Sequence, residues 1–201
     1  VDKNGQYLPS DFLGALLAQY LIKRHNGGTI VHDIIMGWAV RDLVAAAKGR
    51  TFASRVGHVF IKAEMEKQDA IFGLEKSGHY YLPDFYWAET AVGVALLVWE
   101  MIDASGQTLE QLAASLRAKY FMCEQINKTV SDPDGIMARI KETYQKDFII
   151  EELDGVSIIA DNWHANIRKS NTEPLLRLNV EAIGDKALME QKQDELLAFM
   201  V

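Results

Sequence analysis

The first 75 residues alternate between strand-like and helical segments, and this alternation restricts the fold more than any other feature of the sequence. β-Branched runs predict strands, and apolar residues at intervals of three and four predict helices. The predicted elements are a helix at 10–25 capped by Ser10, a strand at 29–35, a helix at 38–48, a strand at 50–55, a helix at 56–68 and a strand at 70–73. This order favours an α/β layer in which helices cover a largely parallel sheet, with ligands bound where loops leave the strand ends.

The pattern changes at Tyr120, where a second domain is expected to begin. Two helices are predicted before this point, at 84–104 and 109–119. After it come a strand-like segment to 130, a helix at 132–146, strands at 156–160, 165–169 and 175–182, and a closing helix at 185–200. Asp154-Gly155 is the strongest hairpin signal in the chain. We therefore expect an α/β domain at 1–119 and a smaller α+β domain at 120–201.

Charge and cysteine content exclude several classes of protein. The 201 residues include 21 Lys and Arg against 28 Asp and Glu, a net charge of −7, and the basic residues form no block. Nucleic acid is therefore not an expected partner. The single cysteine, Cys123, cannot form an internal disulfide, and neither a Cys pair nor a His-x-x-x-His spacing supports a zinc site. A reducing, cytoplasmic compartment fits this composition.

The longest apolar stretch, residues 91–99, is too short to cross a membrane. A bilayer-spanning helix needs about 20 apolar residues. We expect no membrane association and interpret the stretch as a buried helix. Aromatic and apolar side chains at helical spacing in and around it are predicted to lie in the core, namely Trp87, Val94, Trp99 and Met101.

A polar loop, residues 73–81, directly follows a predicted buried strand. Glu75 and Ser77 are two residues apart, so on an extended backbone both side chains would project from one face and could bond adjacent ligand hydroxyls. Such an arrangement suits a sugar. His79 adds a group that exchanges a proton near neutral pH. The alternative interpretation is an ordinary polar hairpin with a capping Glu.

Hydrogen-bond donors are concentrated in a second loop, residues 168–174, between two predicted strands. Two positive charges, two hydroxyls, an amide and the loop N–H groups together suit a phosphate dianion. The candidate ligands in this loop are Arg168, Ser170, Asn171 and Thr172. The alternative is a solvated turn in which Ser and Asn side chains replace backbone hydrogen bonds.

A third segment, residues 55–62, lies at a strand-to-helix junction, where backbone N–H groups attract anions. His58 and Lys62 are four residues apart and share a helix face, so both could flank one phosphate or hydroxyl. A histidine at this position is alternatively a simple helix cap. The other three histidines are interpreted as structural: His25 at a helix end, His32 in a strand and His164 in a turn-like stretch.

Taken together and in this order, the three segments resemble the α-D-phosphohexomutases, in particular the phosphomannomutase/phosphoglucomutase branch. Residues 56–58 look like the family's third-domain loop, 73–79 like its sugar-binding Gly-Glu-x-Ser-Gly-His loop, and 168–174 like its Arg-x-Ser-Asn-Thr-Glu-Pro phosphate loop. The resemblance implies that Glu75 and Ser77 bind the 3- and 4-hydroxyls of the sugar.

It also implies roles for the remaining candidates. His58 and His79 would line the reaction cleft as catalytic groups, with Lys62 binding substrate beside them. The ligands of the non-reacting phosphate would be Arg168, Ser170, Asn171 and Thr172. The expected partner is a hexose phosphate, mannose or glucose 1- or 6-phosphate, because these two sugars share the 3- and 4-hydroxyl orientations.

The family fold is expected to be a mixed sheet with flanking helices, which is the third domain, followed by a smaller α+β fourth domain. Complete members interconvert hexose 6- and 1-phosphates, using a phosphoserine in a Ser-His-Asn-Pro segment and Mg²⁺ in an Asp-Gly-Asp-x-Asp-Arg loop. Neither segment occurs in this chain. We therefore expect the C-terminal half of a longer enzyme, with no metal site of its own. Alone, it should bind phosphosugar without turning it over, and its partners should include the N-terminal domains of the same parent chain.

Two alternatives remain open at the level of sequence. One is a stand-alone, non-catalytic phosphosugar-binding module, and the other is part of a phosphoglucosamine mutase. Tyr80-Tyr81 after the sugar-binding loop looks more like the mannose/glucose branch. One departure from the family is the loop Ile35-Met36-Gly37-Trp38, where relatives often carry Lys or Ser/Thr-Arg. This loop is expected to bind substrate less well.

Overall fold

The computed structural model describes residue 1, residues 3–170 and residues 173–200. These residues divide into two units, Val1–Arg117 and Ala118–Val201. The assignment of sugar binding to residues 1–119 and of phosphate binding to residues 120–201 stays a prediction.

A five-stranded sheet with helices on both faces forms the first unit. Its elements are α1 (Ser10–His25), β1 (Thr29–Asp33), α2 (Trp38–Ala46), β2 (Arg50–Ser54), α3 (His58–Gln68), β3 (Phe72–Leu74), β4 (Tyr80–Leu82), β5 (Ala88–Glu89), α4 (Ala91–Ser105) and α5 (Leu109–Lys119). The strand order is β2-β1-β3-β4-β5. β1 is parallel to both β2 and β3, whereas β4 and β5 are antiparallel to their neighbours. The expected mixed sheet with flanking helices is confirmed.

Glycines allow the helices to approach this sheet closely on both faces. On one face, Ile61 and Met65 of α3 pack with Val31 of β1. A Cβ on Gly73 would lie 2.2 Å from Met65 Sδ, so only glycine fits beneath this helix. On the other face, a Cβ on Gly14 of α1 would lie 2.5 Å from a methyl carbon of Leu74 in β3. The sheet is therefore the middle layer of three.

The second unit is an antiparallel sheet with helices packed against it. Its elements are β6 (Tyr120–Met122), β7 (Ile126–Thr129), α6 (Pro133–Tyr144), β8 (Ile149–Glu151), β9 (Val156–Ile159), β10 (Trp163–Lys169), β11 (Leu175–Ile183) and α7 (Lys186–Leu197), followed by a 3₁₀ turn at Ala198–Met200. The strand order is β6-β11-β10-β9-β8, and β7 also pairs with β11. The predicted α+β architecture is confirmed, and the Asp154-Gly155 hairpin joins β8 to β9.

Alternation along β10 and β11 separates an apolar face from a polar face. Ala165 and Ile167 share the core with Ile140 of α6 and Leu196 of α7. The intervening positions of the two strands form three directly opposed polar pairs: His164 with Glu181, Asn166 with Asn179, and Arg168 with Arg177. This face ends at the loop that joins the strands.

Two expectations about where helices begin are wrong. The helix predicted from residue 84 begins at Ala91, since Pro83–Phe85 form a 3₁₀ turn and Tyr86 and Trp87 adopt positive φ, which stops an α-helix. Thr90 caps α4 by accepting a 3.1 Å hydrogen bond from Gly93 N. Ser10 does not cap α1, because Pro9 holds the N-cap position.

The apolar segment 91–99 is not a buried helix. Only Gly93, Val94 and Met101 of α4 are buried, and Trp99 is 73% exposed, so its predicted place in the core is wrong. Of the helices in the described part of the chain, none has the length and apolar character that a membrane crossing requires.

Candidate functional site

The carboxyl ends of three parallel strands bring two of the predicted loops together in the first unit. β1 ends at Asp33, β2 at Ser54 and β3 at Leu74, and all three ends lie on one edge of the sheet. The residues that follow β2 and β3 meet there, because Gly57 N donates a 3.0 Å hydrogen bond to Glu75 Oε1. This edge is where open parallel sheets place their ligands.

Glu75 is the buried centre of this edge, with only 5% of the residue exposed. Its Oε1 accepts from Gly57 at the start of α3, and its Oε2 accepts a 2.6 Å hydrogen bond from the Tyr81 hydroxyl. Burial raises the pKa of Tyr81, and the hydrogen bond to Glu75 raises it further, so Tyr81 keeps its proton and acts as the donor. The carboxylate is thereby held in one orientation.

The backbone of the predicted sugar-binding loop, residues 73–81, is a turn at 75–79 and not the extended segment we expected. Gly78 N donates to Glu75 O and Glu75 N donates to His79 O, each at 2.9 Å. Glu75 therefore points inward while Ser77 is exposed, and the prediction that both project from one face of a strand is wrong. The loop has the hairpin form, with its Glu bonded at a helix start, that the sequence also allowed. The ligand roles of Glu75 and Ser77 stay predictions.

Ser77 and His79 lie together at the open side of this turn. Ser77 Oγ is 2.7 Å from His79 Nδ1. The His79 side chain is 46% exposed, and its Nδ1 lies 3.7 Å from Glu75 Oε2. A hydroxyl, an imidazole and a carboxylate are thus within reach of a single small ligand, and the imidazole can pass a proton to or from it.

His58 and Lys62 approach the same edge from α3. His58 is exposed at the first position of the helix, next to the Gly57 N–H that Glu75 binds. Lys62 Nζ lies 5.6 Å from the centre of the Tyr81 ring, a cation–π contact. Both residues are therefore close to the partners of Glu75, and their binding of one phosphate or hydroxyl stays a prediction.

Lys76, the unspecified position of the Gly-Glu-x-Ser-Gly-His motif, anchors the loop. Its Nζ lies 3.0 and 3.1 Å from the two carboxylate oxygens of Asp11, and its N–H donates to Asp33 Oδ2 at 2.9 Å. Its carbonyl accepts a hydrogen bond from the Ser10 hydroxyl. The sequence analysis did not single out Asp11, which lies 65 positions from Lys76.

Asp33 is the most perturbed carboxyl group beneath the loop. Burial raises its pKa to about 7, and the hydrogen bond from Lys76 N–H opposes this shift. Oδ1 of Asp33 has no hydrogen-bond partner among the described residues. Asp33 therefore exchanges its proton near neutral pH at the carboxyl end of β1.

The predicted phosphate-binding loop lies in the second unit, at the end of β10. Arg168 is 4% exposed and stands opposite Arg177 of β11. Ser170 N donates to Leu175 O at 2.9 Å and closes the base of the loop. Asn171 and Thr172 lie outside the described residues. The structure thus places Arg168 and Ser170 together at one strand end.

The hairpin at Asp154-Gly155 presses against this strand end. Gly155 has φ of 76°, and a Cβ there would lie 2.2 Å from Ile167 O and 2.7 Å from Arg168 Cα. A glycine is required both for the turn and for this approach. The turn thereby packs against Arg168 from the β9 side.

Two of the remaining histidines, His32 and His164, have local partners. His164 lies inside β10 and not in the turn-like stretch we predicted, and its Nε2 is 2.9 Å from Glu181 Oε2. His32 Nδ1 lies 2.7 Å from Asp33 O. Among the residues that the structure describes, no group of three His, Cys, Asp or Glu side chains is arranged to hold a metal ion.

Two family models match the chain in succession. Residues 9–120 match "Phosphoglucomutase/phosphomannomutase, alpha/beta/alpha domain III", and residues 126–198 match "Phosphoglucomutase/phosphomannomutase, C-terminal domain". The chain belongs to the phosphoglucomutase/phosphomannomutase family. This result confirms the resemblance that the three loop motifs indicated.

Several curated relatives within this family are named phosphomannomutases. The chain is 35% identical over 200 residues to one from Salmonella montevideo, a match that covers 99% of this chain and 44% of that protein. It is 37% identical over 194 residues to one from Methanocaldococcus jannaschii, covering 96% of this chain and 43% of that protein. The chain therefore spans less than half the length of the curated relatives it matches.

Solved structures of family members share the fold. A phosphoglucomutase/phosphomannomutase family protein from Burkholderia thailandensis matches with a TM-score of 0.81 at 21% identity, over 98% of this chain and 42% of that one. N-acetylphosphoglucosamine mutase from Aspergillus fumigatus, solved with GlcNAc-6P and magnesium, matches with a TM-score of 0.69 at 12% identity, over 96% of this chain and 47% of that one. At these identities the matches show the fold.

Proposed function

We propose that this chain supplies the sugar-binding and phosphate-binding half of a phosphohexomutase that interconverts hexose 6-phosphate and hexose 1-phosphate. The observation that carries the proposal is the edge of the first sheet, where the buried Glu75 carboxylate is held in place beneath the exposed groups of Ser77 and His79. The family match over both units supports it.

Glu75 retains the capacity to bind a sugar although both its oxygens are already bonded. A carboxylate offers about four lone-pair positions, and Gly57 and Tyr81 occupy two of them. Two adjacent ring hydroxyls can therefore donate to the remaining positions while Ser77 bonds one of them from the open side. The two hydrogen bonds hold the carboxylate in one orientation. The hydroxyls that bond to it are therefore held in one orientation too, and so is the sugar ring.

The phosphate that does not react is assigned to the loop of the second unit. Arg168 and Ser170 lie together at the end of β10, and Asn171 and Thr172 follow them in the chain. A phosphate dianion accepts several charge-assisted hydrogen bonds at once, and a loop with a buried guanidinium supplies them in fixed geometry.

We assign proton transfer to His79. We assign stabilisation of the negative charge on the reacting phosphate to His58 and Lys62. His79 is supported by Ser77 and lies near Glu75, an arrangement that can give or take a hydroxyl proton. Lys62, held over the Tyr81 ring, and His58 at the start of α3 favour an anion at the same edge. These roles place the reacting end of the sugar at the carboxyl edge of the first sheet.

The nucleophile and the metal of the reaction are assigned to sequence outside these 201 residues. The chain contains no Ser-His-Asn-Pro segment and no Asp-Gly-Asp-x-Asp-Arg loop. We place phosphoserine and Mg²⁺ on the N-terminal domains of the same parent chain, which would be its principal partner, and we place the enzyme in the cytoplasm. Phosphomannomutase or phosphoglucomutase activity is preferred over phosphoglucosamine mutase activity, since the relatives from Salmonella montevideo and Methanocaldococcus jannaschii, at 35% and 37% identity, are named phosphomannomutases.

Calorimetric titration with mannose 6-phosphate and glucose 1-phosphate tests this proposal. Ser77→Ala removes an exposed hydroxyl and Arg168→Ala a buried guanidinium, and loss of hydrogen bonds to a charged group predicts roughly 10- to 100-fold weaker binding for Arg168→Ala. Ser77→Ala should weaken binding by a smaller factor. Glu66→Gln on the exposed face of α3 serves as the matched control. Unchanged affinity in both site variants would overturn the assignment.

A further inference from the structure

Large apolar side chains are exposed on and beside α4. Five of them, each between 46% and 89% exposed, form a surface that we call the α4 face: Phe85, Tyr86, Val92, Leu96 and Trp99. Val92, Leu96 and Trp99 are spaced by four and three residues, so they lie on one side of the helix. Phe85 packs at the same helix, since a Cβ on Gly93 would lie 3.2 Å from Phe85 Cε2. Contiguous exposed apolar surface of this kind marks interaction sites.

A groove of about 520 Å³ lies beside these side chains. Phe85 and Leu96 line it, and Leu21 of α1 and Leu97 of α4 continue its apolar wall. Trp99 is exposed one helical turn beyond Leu96. The α4 face therefore presents an exposed indole next to a groove whose volume falls within the range, about 300–1,000 Å³, of sites that enclose small molecules.

The backbone at one end of the α4 face is held in an unfavourable conformation. Tyr86 and Trp87 have φ of 57° and 54°, values that non-glycine residues rarely adopt. Tyr86 is 89% exposed, so its ring buries little surface within its own unit. Because strained backbone is concentrated at functional sites, this conformation supports a binding role for the face.

The charges around the groove favour a protein partner over a membrane. Its lining includes Arg24 and His25 from α1 and the acidic residues Asp69, Asp84 and Glu100. Arg24 is paired with Glu100 at 2.7 Å, so the remaining rim is mainly acidic and repels anionic lipid headgroups. Since the rim carries both signs, a second copy turned about a two-fold axis can set its basic group against an acidic group of the first.

The exposed apolar area matches one side of a dimer interface. A fully exposed aromatic side chain offers about 150–250 Å² for burial, so the exposed fractions of the five side chains together supply roughly 500 Å². A standard interface takes about 800 Å² from each partner, of which about 57%, roughly 450 Å², is non-polar. The polar rim of the groove supplies the remainder.

We propose that two copies of this chain pair through the α4 face, with Trp99 of each copy in the groove of the other. Val92 and Leu96 then lie at the contact between the two α4 helices. The contact closes on itself, because each copy offers both the exposed indole and the groove. This inference goes beyond the proposed function and does not depend on it, since the α4 face contains none of the candidate ligand-binding residues.

Sedimentation equilibrium of the purified chain over the micromolar range tests the proposal. The expected mass is 22.6 kDa at the lowest concentrations and twice this value at the highest. Trp99→Ser should raise the dissociation constant of the dimer at least about 30-fold, the factor that corresponds to the loss of one hot-spot side chain. Leu96→Glu sets like charges against one another at the contact and should leave only monomer.

Ile149→Thr is the matched control. Ile149 is 65% exposed in β8 of the second unit, so the change removes exposed apolar surface that is not part of the α4 face, and the dissociation constant should not change. Thermal unfolding well below the dissociation constant reports the monomer of each variant, because association stabilises the folded state only at higher concentration. If one of the two face variants is unfolded, the other decides the test.

Three results would overturn the proposal. The first is a mass of 22.6 kDa at every concentration, which would leave the N-terminal domains of the parent chain as the occupant of the face. The second is a dimer whose dissociation constant is the same in the folded face variants as in wild type. The third is a mass that grows beyond the dimer, which a closed two-fold contact does not allow. Weaker association in the face variants alone supports the proposal, and titration with glucose 1-phosphate tests the proposed function separately.

Discussion

Lys76 Nζ contacts both carboxylate oxygens of Asp11, at 3.0 and 3.1 Å, and the exposed fractions of the two side chains are 17% and 3%. Asp11 also accepts a 2.6 Å hydrogen bond from Gly37 N. One buried ion pair therefore ties the predicted sugar-binding loop to the first turn of α1 and to the loop after β1. The position between Glu75 and Ser77 is thus a structural anchor of the site.

Lys76→Met should destabilise the first unit strongly. The change leaves the Asp11 carboxylate buried without its cation, and breaking a buried pair in this way costs about 3–5 kcal/mol. Lys67→Met is the matched control, because Lys67 pairs with Glu64 at 3.3 Å on the exposed side of α3, where such a pair is worth about 0–1 kcal/mol. Urea unfolding measures both. If Lys76→Met and Lys67→Met lower the free energy of unfolding equally, burial does not make the Lys76–Asp11 ion pair more important than an exposed one.

Asp33 should make stability depend on pH between about 4 and about 7. Burial raises the pKa of Asp33 in the folded state to about 7. In the unfolded chain the pKa of an Asp side chain is about 3.9. The folded state therefore binds the proton more tightly in this window, and the free energy of unfolding falls as pH rises through it. Asp33→Asn cannot titrate and should lose less stability over the same range.

The comparison variant for this titration is Asp69→Asn, which changes an exposed residue at the end of α3. Asn accepts the positive φ of that position as readily as Asp does. Unfolding by urea at several pH values should give a flatter profile for Asp33→Asn alone. Parallel profiles for wild type and Asp33→Asn would contradict a raised pKa at Asp33.

Gly73→Ala should be destabilising through a clash with a single side chain. The new Cβ would lie 2.2 Å from Met65 Sδ and 3.1 Å from Ile61 Cγ2, and overpacking of this kind costs about 1–3 kcal/mol. In a Met65→Ala background the sulfur is absent, so the same substitution should cost less. Thermal unfolding of wild type, Gly73→Ala, Met65→Ala and the double variant tests this. If the two substitutions destabilise the protein additively, the clash with Met65 is not the cause of the loss.

Trp99 and Met101 of α4 should respond oppositely to truncation. Trp99 is 73% exposed, so Trp99→Ser should change stability by no more than about 0.5 kcal/mol. Met101 is buried, and Met101→Ala should cost about 2–5 kcal/mol. Denaturant unfolding followed by circular dichroism compares them. A large loss from Trp99→Ser would mean that this side chain packs against other residues of the protein.

The elements predicted correctly from the sequence are those whose local residue pattern agrees with the tertiary structure. α5 at Leu109–Lys119 and the Asp154-Gly155 hairpin were placed correctly because helical spacing and turn chemistry act over a few residues. The start of α4 was missed because Tyr86 and Trp87 adopt a left-handed conformation that neither residue type favours.

The motifs located the edge of the first sheet but not the contacts that organise it. Glu75 was singled out, yet its partners Gly57 and Tyr81 and its inward direction depend on a turn that alternation along a strand cannot predict. Lys76 was passed over because Asp11 and Asp33 meet it only after the sheet forms. Long-range pairs of this kind leave no signal in residue spacing.

The central claim is that these 201 residues bind a hexose phosphate and cannot turn it over. A ³¹P NMR titration of glucose 1-phosphate with the purified chain tests both parts in one sample. We expect the phosphate resonance to shift or broaden as protein is added, with no growth of a 6-phosphate signal. A resonance that stays unperturbed at saturating protein, or a 6-phosphate signal that grows with time, would contradict the account.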